Sequence, residues 1–319
     1  MRRIAALLLG ALVLLTALAG CQTKKPTASE EETVKIGVVI PREDRGWIAG
    51  MEYYARQRCE ELAAQGGVEY ELCPCGDSAE MTREISRLRD WGAQAVVYYV
   101  QFDGMGKAIR ELLDADVRVV CVDTGLGLEG TTRVTGDHEL LGSRSARYLV
   151  EKIGREGTVI ALNNPVAGRT STLRQKGFEE EMLRSAPQMK VETFASRFSR
   201  EEARQVFGEV LTTHPKIDGV FAMDDQVSLG VLDALEAAGR TDVQVITGGG
   251  GQQEYLERIA GEEKLWLQTV LYSPAMAADA VDQAVALARG ESTERTKVIA
   301  PGVVDRENVS EYLDPKCPY

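Results

Sequence analysis

The stretch IDGVFAMDDQVSLGVLDALEAAG, residues 217–239, decides the fold. Ile217 to Met223 is apolar throughout, as in a strand buried on both faces of a parallel sheet. Asp224 and Asp225 stand at its carboxyl end, and a helix follows with Val227, Val231, Leu232 and Leu235 on one face and Gly239 as its stop. In open α/β sheets, ligands sit beyond the carboxyl ends of the strands, so both aspartates are candidate contacts. Either one can instead merely cap the helix, and Asp225, next to it, is the more natural cap.

The same unit repeats along the chain. Strands are expected at Val34–Ile40, Val68–Leu72, Ala95–Val100, Val117–Val122, Thr158–Leu162, Met189–Phe194, Val243–Thr247 and Leu265–Leu271, with helices between them. Repeated strand–helix pairs imply a doubly wound, mainly parallel sheet with helices on both faces. The alternation pauses at a Gly-rich turn, Gly125 to Gly130, and restarts after Thr132–Asp137, which predicts two similar Rossmann-like lobes. Gly248–Gly251 lacks the Lys-Ser/Thr of a phosphate loop and the G-x-G-x-x-G spacing, and is expected to be a tight strand-to-helix turn.

The amino end has its own logic. Arg2 and Arg3 precede an apolar run, Ile4 to Ala19, that is short for a membrane span and has the form of a signal peptide. Leu18-Ala19-Gly20-Cys21 resembles the lipobox of bacterial lipoproteins, which implies cleavage before Cys21 and lipidation of its thiol. Residues 22–33 are polar and aperiodic, as in a flexible tether. The expected divisions are therefore 1–20 signal, 21–33 tether, then the lobes.

Composition excludes some functions. The 319 residues carry a net charge of −12, which argues against a nucleic-acid partner. Beyond Cys21, five cysteines remain at 59, 73, 75, 121 and 317. They read as small buried apolar residues or as one structural bridge with partners open. Cys73-Pro-Cys75 has no zinc-site spacing, and His138 and His214 are the only histidines, so neither metal nor cofactor is expected. No Ser/His/Asp or Cys/His nucleophile arrangement is present, and the chain is read as a non-enzyme.

KIGVVIPREDRGWIAGM (35–51), VRVVCVDTG (117–125), STLRQKGFEEEM (171–182) and HPKIDGVFAMDDQVSLGVLDALEAAGR (214–240) with DVQVITGGGG (242–251) together resemble the ribose- and galactose-type periplasmic binding proteins, the type I substrate-binding proteins of ABC importers. The resemblance implies two lobes joined by crossings near 135–137, 271–273 and 294–297. The first lobe would be 34–134 plus 274–294, the second 137–270 plus 297–319. It implies a ligand held between the lobes and released by a hinge motion. LacI-type repressors share such lobes but place a helix-turn-helix module ahead of them. Here a signal and lipobox stand in that place.

The same resemblance supplies candidate ligand residues. Trp47 and Phe198 fall where the family stacks aromatics on sugar rings, Asp123 matches its strand-end aspartate, and Asp224 stands where many members carry Asn. Arg45 replaces an amide, and Arg174 lies half a turn from the ribose-type contact, where Thr172 stands. Tyr98, at the end of the third strand, can offer a hydroxyl, with Tyr99 pointing to the opposite face. Thr124 and Gly249 depart from the ribose contact set, so a polyhydroxy ligand (sugar, polyol or sugar acid) other than ribose is expected. The implied function is a monomeric, lipid-anchored capture protein on the outer face of the membrane that feeds an ABC permease. The alternatives are a receptor for a membrane kinase or chemoreceptor, and an enzyme acting on a sugar derivative.

Overall fold

The computed structural model describes residues 33–319. The signal, lipobox and most of the tether, Cys21 included, lie outside the described residues. Among the described residues no helix is long and apolar enough to cross a membrane.

The alternation read from sequence builds two six-stranded sheets. In the first, β1 (Val34–Pro41), β2 (Val68–Cys75), β3 (Ala95–Tyr99), β4 (Arg118–Val122) and β5 (Thr131–Gly136) are joined by β11 (Thr296–Ile299) in the order β11-β5-β4-β3-β1-β2, all parallel. In the second, β6 (Glu156–Asn163), β7 (Gln188–Ala195), β8 (Gly219–Ala222), β9 (Val245–Gly250) and β10 (Trp266–Leu271) are parallel, and β12 (Val303–Asp305) closes the edge antiparallel to β10. Central strands such as β8 are buried along their whole length, which is why they read as unbroken apolar runs.

Helices cover both faces of each sheet. α1 (Trp47–Gln65) and α9 (Met276–Ala288) pack with Ile36, Val38, Val97 and Val120 on one face of the first sheet. α2 (Ser78–Trp91) and α3 (Gly106–Asp114) pack with Val39, Val96, Tyr98 and Val119 on the other. In the second lobe α4 (His138–Ile153) and α5 (Arg169–Ser185) cover one face. α6 (Arg200–Thr213), α7 (Asp225–Ala238) and α8 (Gln253–Gly261) cover the other.

The chain passes between lobes three times. The first two passes are at β5–α4 and β10–α9. The third differs from the sequence expectation. The expected crossing near 294–297 would have assigned Lys297–Ile299 to the second lobe, but β11 pairs in register with β5, Thr296 opposite Arg133 and Ile299 opposite Gly136. The pass therefore falls between Ile299 and Val303, because the alternating Thr-Lys-Val-Ile strand completes the open edge of the first sheet before the chain leaves.

Two other expectations change. β9 runs on through Gly248 and Gly249 to Gly250, where a turn was expected from Gly248. A Cβ at Gly248 would lie 2.4 Å from Asp225 Oδ1, and one at Gly249 2.9 Å from the Met223 carbonyl, so bare backbone is what lets this strand lie so close to its neighbours. All five described cysteines are free and buried, so the apolar reading holds over the bridge.

α4 and α5 cross at two glycines. A Cβ on Gly142 would fall 1.9 Å from the Arg174 carbonyl, and one on Gly177 1.9 Å from the Glu139 carbonyl. Backbone cannot yield as a flexible side chain can, so Gly177→Ala is expected to cost about 1–3 kcal/mol, read as a lower urea midpoint with unchanged slope. An unchanged midpoint would mean that the helices do not meet at this distance.

Candidate ligand-binding cleft

The carboxyl ends of both sheets open onto one cavity of about 690 Å³, lined from both lobes. From the first lobe come the β1–α1 loop with Arg45 and Trp47, Tyr99 at the end of β3, and Asp123 at the end of β4. From the second come His138 and Arg174 on α4 and α5, Phe198 before α6, and Asp224 with Gln226 at the start of α7. Of the seven candidate side chains read from sequence, Arg45, Trp47, Asp123, Arg174, Phe198 and Asp224 line this cavity.

Tyr98 does not. It is fully buried on the opposite face of β3, among Met81, Ile109 and Cys121, with its hydroxyl unpartnered. Strand alternation gives the cleft to Tyr99, whose ring lies 5.9 Å from Trp47 at 51°. The sequence located the strand end correctly but assigned its two faces the wrong way round. Arg45 is exposed at the rim. Thr172, at the ribose-type position, is exposed and donates to the Gly168 carbonyl, while Thr170 and Arg174 face the cavity.

Tyr272, in the second crossing, was missed and organises the site. Its hydroxyl donates to Asp123 Oδ1, its carbonyl accepts from the Trp47 indole N–H at 2.8 Å, and its ring stacks on His138 at 4.3 Å and 12°. A Cβ at Gly136 would lie 2.4 Å from this ring, which explains the glycine at the end of β5. The sequence signal was an aromatic inside a predicted hinge segment, Leu271-Tyr272-Ser273.

Arg174 is buried and hydrogen-bonded within the fold. It donates to the Met223 carbonyl and, from Nε at 3.4 Å, to His138 Nδ1, and its guanidinium lies 5.3 Å from the Tyr272 ring centre and 5.8 Å from that of Phe198. Burial, then the Arg174 and Arg169 guanidiniums, push the His138 pKa down to about 3. The imidazole is neutral at physiological pH, with its proton on Nε2 towards Thr170 Oγ1 at 3.5 Å.

The two adjacent aspartates divide their work, in the opposite sense to the sequence expectation. Asp224 is the N-cap, accepting from Gln226 N–H at 2.9 Å, and still faces the cavity. Asp225 is fully buried inside the first turn. Its carboxylate accepts from Gly251 N–H at 2.7 Å, Gln252 N–H at 2.8 Å and Thr269 Oγ1 at 2.7 Å, fixing the turn after β9. Gln226 in turn donates to Gln252 Oε1 at 2.6 Å.

Burial and the neighbouring Asp225 carboxylate push the Asp224 pKa up from 3.8 to about 6. A raised carboxyl pKa favours the protonated form in the folded state, so this contribution is complete below about pH 4 and is lost as pH rises through 6. Asn preserves the cap without titrating. Wild type is expected to lose about 2 kcal/mol relative to Asp224→Asn between pH 4 and 6, measured as the difference in unfolding free energies. A pH-independent difference would contradict it.

Comparison with known proteins gives a consistent picture. Residues 36–292 match the family described as periplasmic binding protein domain. The chain is 25% identical over 295 residues to the xylitol-binding protein of Mycolicibacterium smegmatis, covering 89% of this chain and 80% of that one. It is 25% identical over 241 residues to the ribose import binding protein of Escherichia coli, covering 73% and 77%. The crystal structure of an ABC transporter solute-binding protein from Actinobacillus succinogenes with bound D-allose superposes with a TM-score of 0.72 at 20% identity, over 88% of this chain and all of the other.

Proposed function

The chain belongs to the periplasmic binding protein domain family, and from that premise we propose that its cleft captures a small neutral polyhydroxy compound, a sugar or polyol, for delivery to an ABC permease. The observation that carries this reading is the joint lining of one cavity by aromatic rings and strand-end carboxylates from both lobes. Trp47 and Phe198 offer apolar faces for a ring, and Asp123 and Asp224 offer acceptors for hydroxyl donors. Arg174 offers a cation whose charge is already shared with the Met223 carbonyl. Arg45 adds a second cation only at the exposed rim, so the interior charges favour a neutral ligand over a sugar acid.

Import rather than catalysis is supported by the relatives, which are named as binding proteins for xylitol and ribose. Closure of the lobes over a ligand, as a monomer, would present the surface that a permease reads. The protein works outside the cytoplasm, tethered through lipid on Cys21. The carrier of that part of the reading is the run Leu18-Ala19-Gly20-Cys21 after the apolar segment.

Thermal-shift titration with D-ribose, D-allose, xylitol, myo-inositol and D-glucuronate tests the capture. At least one neutral compound is expected to raise the melting temperature, and Asp123→Ala is expected to weaken it about 10- to 100-fold. Binding of glucuronate alone would transfer the main role to Arg45, and turnover of any of these compounds would replace capture with catalysis. For the anchor, Cys21→Ser is expected to move the protein from the membrane to the soluble fraction of cells. Retention in the membrane fraction would remove the lipid.

A further inference from the structure

The segment Asp314–Tyr319 runs between the lobes and is bonded to both. On the second lobe, Asp314 N–H donates to Gln253 Oε1 at 2.7 Å, and Gln253 N–H donates to the main-chain oxygen of Tyr319 at 3.0 Å. On the first, the Tyr53 hydroxyl donates to Asp314 Oδ2 at 3.0 Å, and Gly46 N–H donates to the Pro318 carbonyl at 3.3 Å. Cys317, between these ties, is buried.

Both lobes carry glycines where Tyr319 passes. A Cβ on Gly50 of α1 would lie 2.9 Å from Tyr319 Cβ, and one on Gly250 of β9 only 2.1 Å from the Tyr319 hydroxyl oxygen. The side chain therefore reaches from a helix of one lobe to a strand end of the other, through space that side chains at 50 and 250 would take. It is one wall of the cavity that holds Trp47, Asp123 and Asp224. Its hydroxyl is in the field of Asp224 and Asp225, which together with burial keeps the phenol protonated and able to donate.

We propose that Tyr319 is a specificity-determining residue of the ligand site, carried into the cleft by the 314–319 strap, and that its ring limits the ligand to a single sugar ring or the equivalent open-chain polyol. The proposal rests on the capture reading above. A phenol ring has roughly the footprint of a pyranose. To a Cβ at Gly250 the Tyr319 hydroxyl comes nearer than any other group, with Asp225 Oδ2 next at 3.2 Å, so removing the ring extends the cavity by the space the phenol occupies, which is on the scale of one sugar unit. The same ring offers the bound unit an apolar face and a hydroxyl donor.

Calorimetric titration of wild type, Tyr319→Phe and Tyr319→Ala with D-ribose, D-allose, xylitol, myo-inositol, maltose and cellobiose tests it. Wild type and Tyr319→Phe are expected to bind a single-unit compound and reject both disaccharides. Tyr319→Ala is expected to bind the single-unit compound about tenfold more weakly and to accept a disaccharide. The Phe variant controls for folding, since a merely structural strap residue would not transfer size selection to the ring alone. If Tyr319→Ala keeps the affinity and exclusion of wild type, or binds the small compound more tightly, the proposal is overturned while capture stands. If wild type and both variants bind none of the six, capture of such compounds fails, and this inference with it.

Discussion

The cleft depends on one side chain that belongs to neither lobe. Tyr272 lies in the second crossing and engages the first lobe through its hydroxyl on Asp123 and its carbonyl on the Trp47 indole. It engages the second through its ring on His138 and its N–H on the Gly250 carbonyl at 3.1 Å. Its hydroxyl also lies 3.4 Å from Thr135 Oγ1 in the first crossing. The crossing thus carries a bulky buried ring. The consequence is that Trp47, Asp123 and His138, which line the cavity from the two lobes, are positioned by a common neighbour.

The opposite device, absence of side chains, sets the other close approaches. Gly136 admits the Tyr272 ring, Gly142 and Gly177 let α4 and α5 touch through their backbones, and Gly248 clears Asp225. These glycines sit in a helix pair and two strands, where they are ordinarily unfavourable by roughly 0.5–1 kcal/mol relative to Ala. The conformational cost is offset by what the contacts permit. Bringing α5 onto α4 places Arg174 within reach of both the Met223 carbonyl and His138. Clearing Asp225 lets one buried carboxylate hold two N–H groups of the turn and the Thr269 hydroxyl.

How much of this was legible in the chain follows from how local each signal is. The two-lobe α/β fold was readable because the apolar runs of β1, β3, β4, β6 and β8 and the intervening helical periodicities are local properties. Strand-end aspartates were readable for the same reason, and Asp123 and Asp224 both reach the cavity. Tyr98 and Tyr99 were not separable, because which face of β3 looks into the cleft depends on where the hinge passes. The third crossing was misplaced since β11 pairs with a strand about 160 residues earlier, and no local pattern encodes that choice. Tyr272 and Tyr319 were missed because each acts on residues far away in sequence, Trp47 and Asp123 for one, Gly50 and Gly250 for the other.

The electrostatics of the interior then constrain what it can hold. Asp225 is committed to the turn, Arg174 to Met223 and His138, and one oxygen of Asp123 to Tyr272. Each committed charge is held in place by partners within the fold, which reduces the ordering these groups would need on binding. What stays available is the second oxygen of Asp123 and the cavity-facing side of Asp224, whose pKa of about 6 lies within reach of small changes in pH and neighbours. A hydroxyl donor lowers that value by favouring the carboxylate, whereas an anion beside it would raise it further. A pocket built this way strengthens its own acceptors when it meets hydroxyl groups and weakens them when it meets a charge of the same sign. That asymmetry is intrinsic to the Asp224–Asp225 pair and needs no contribution from the exposed rim.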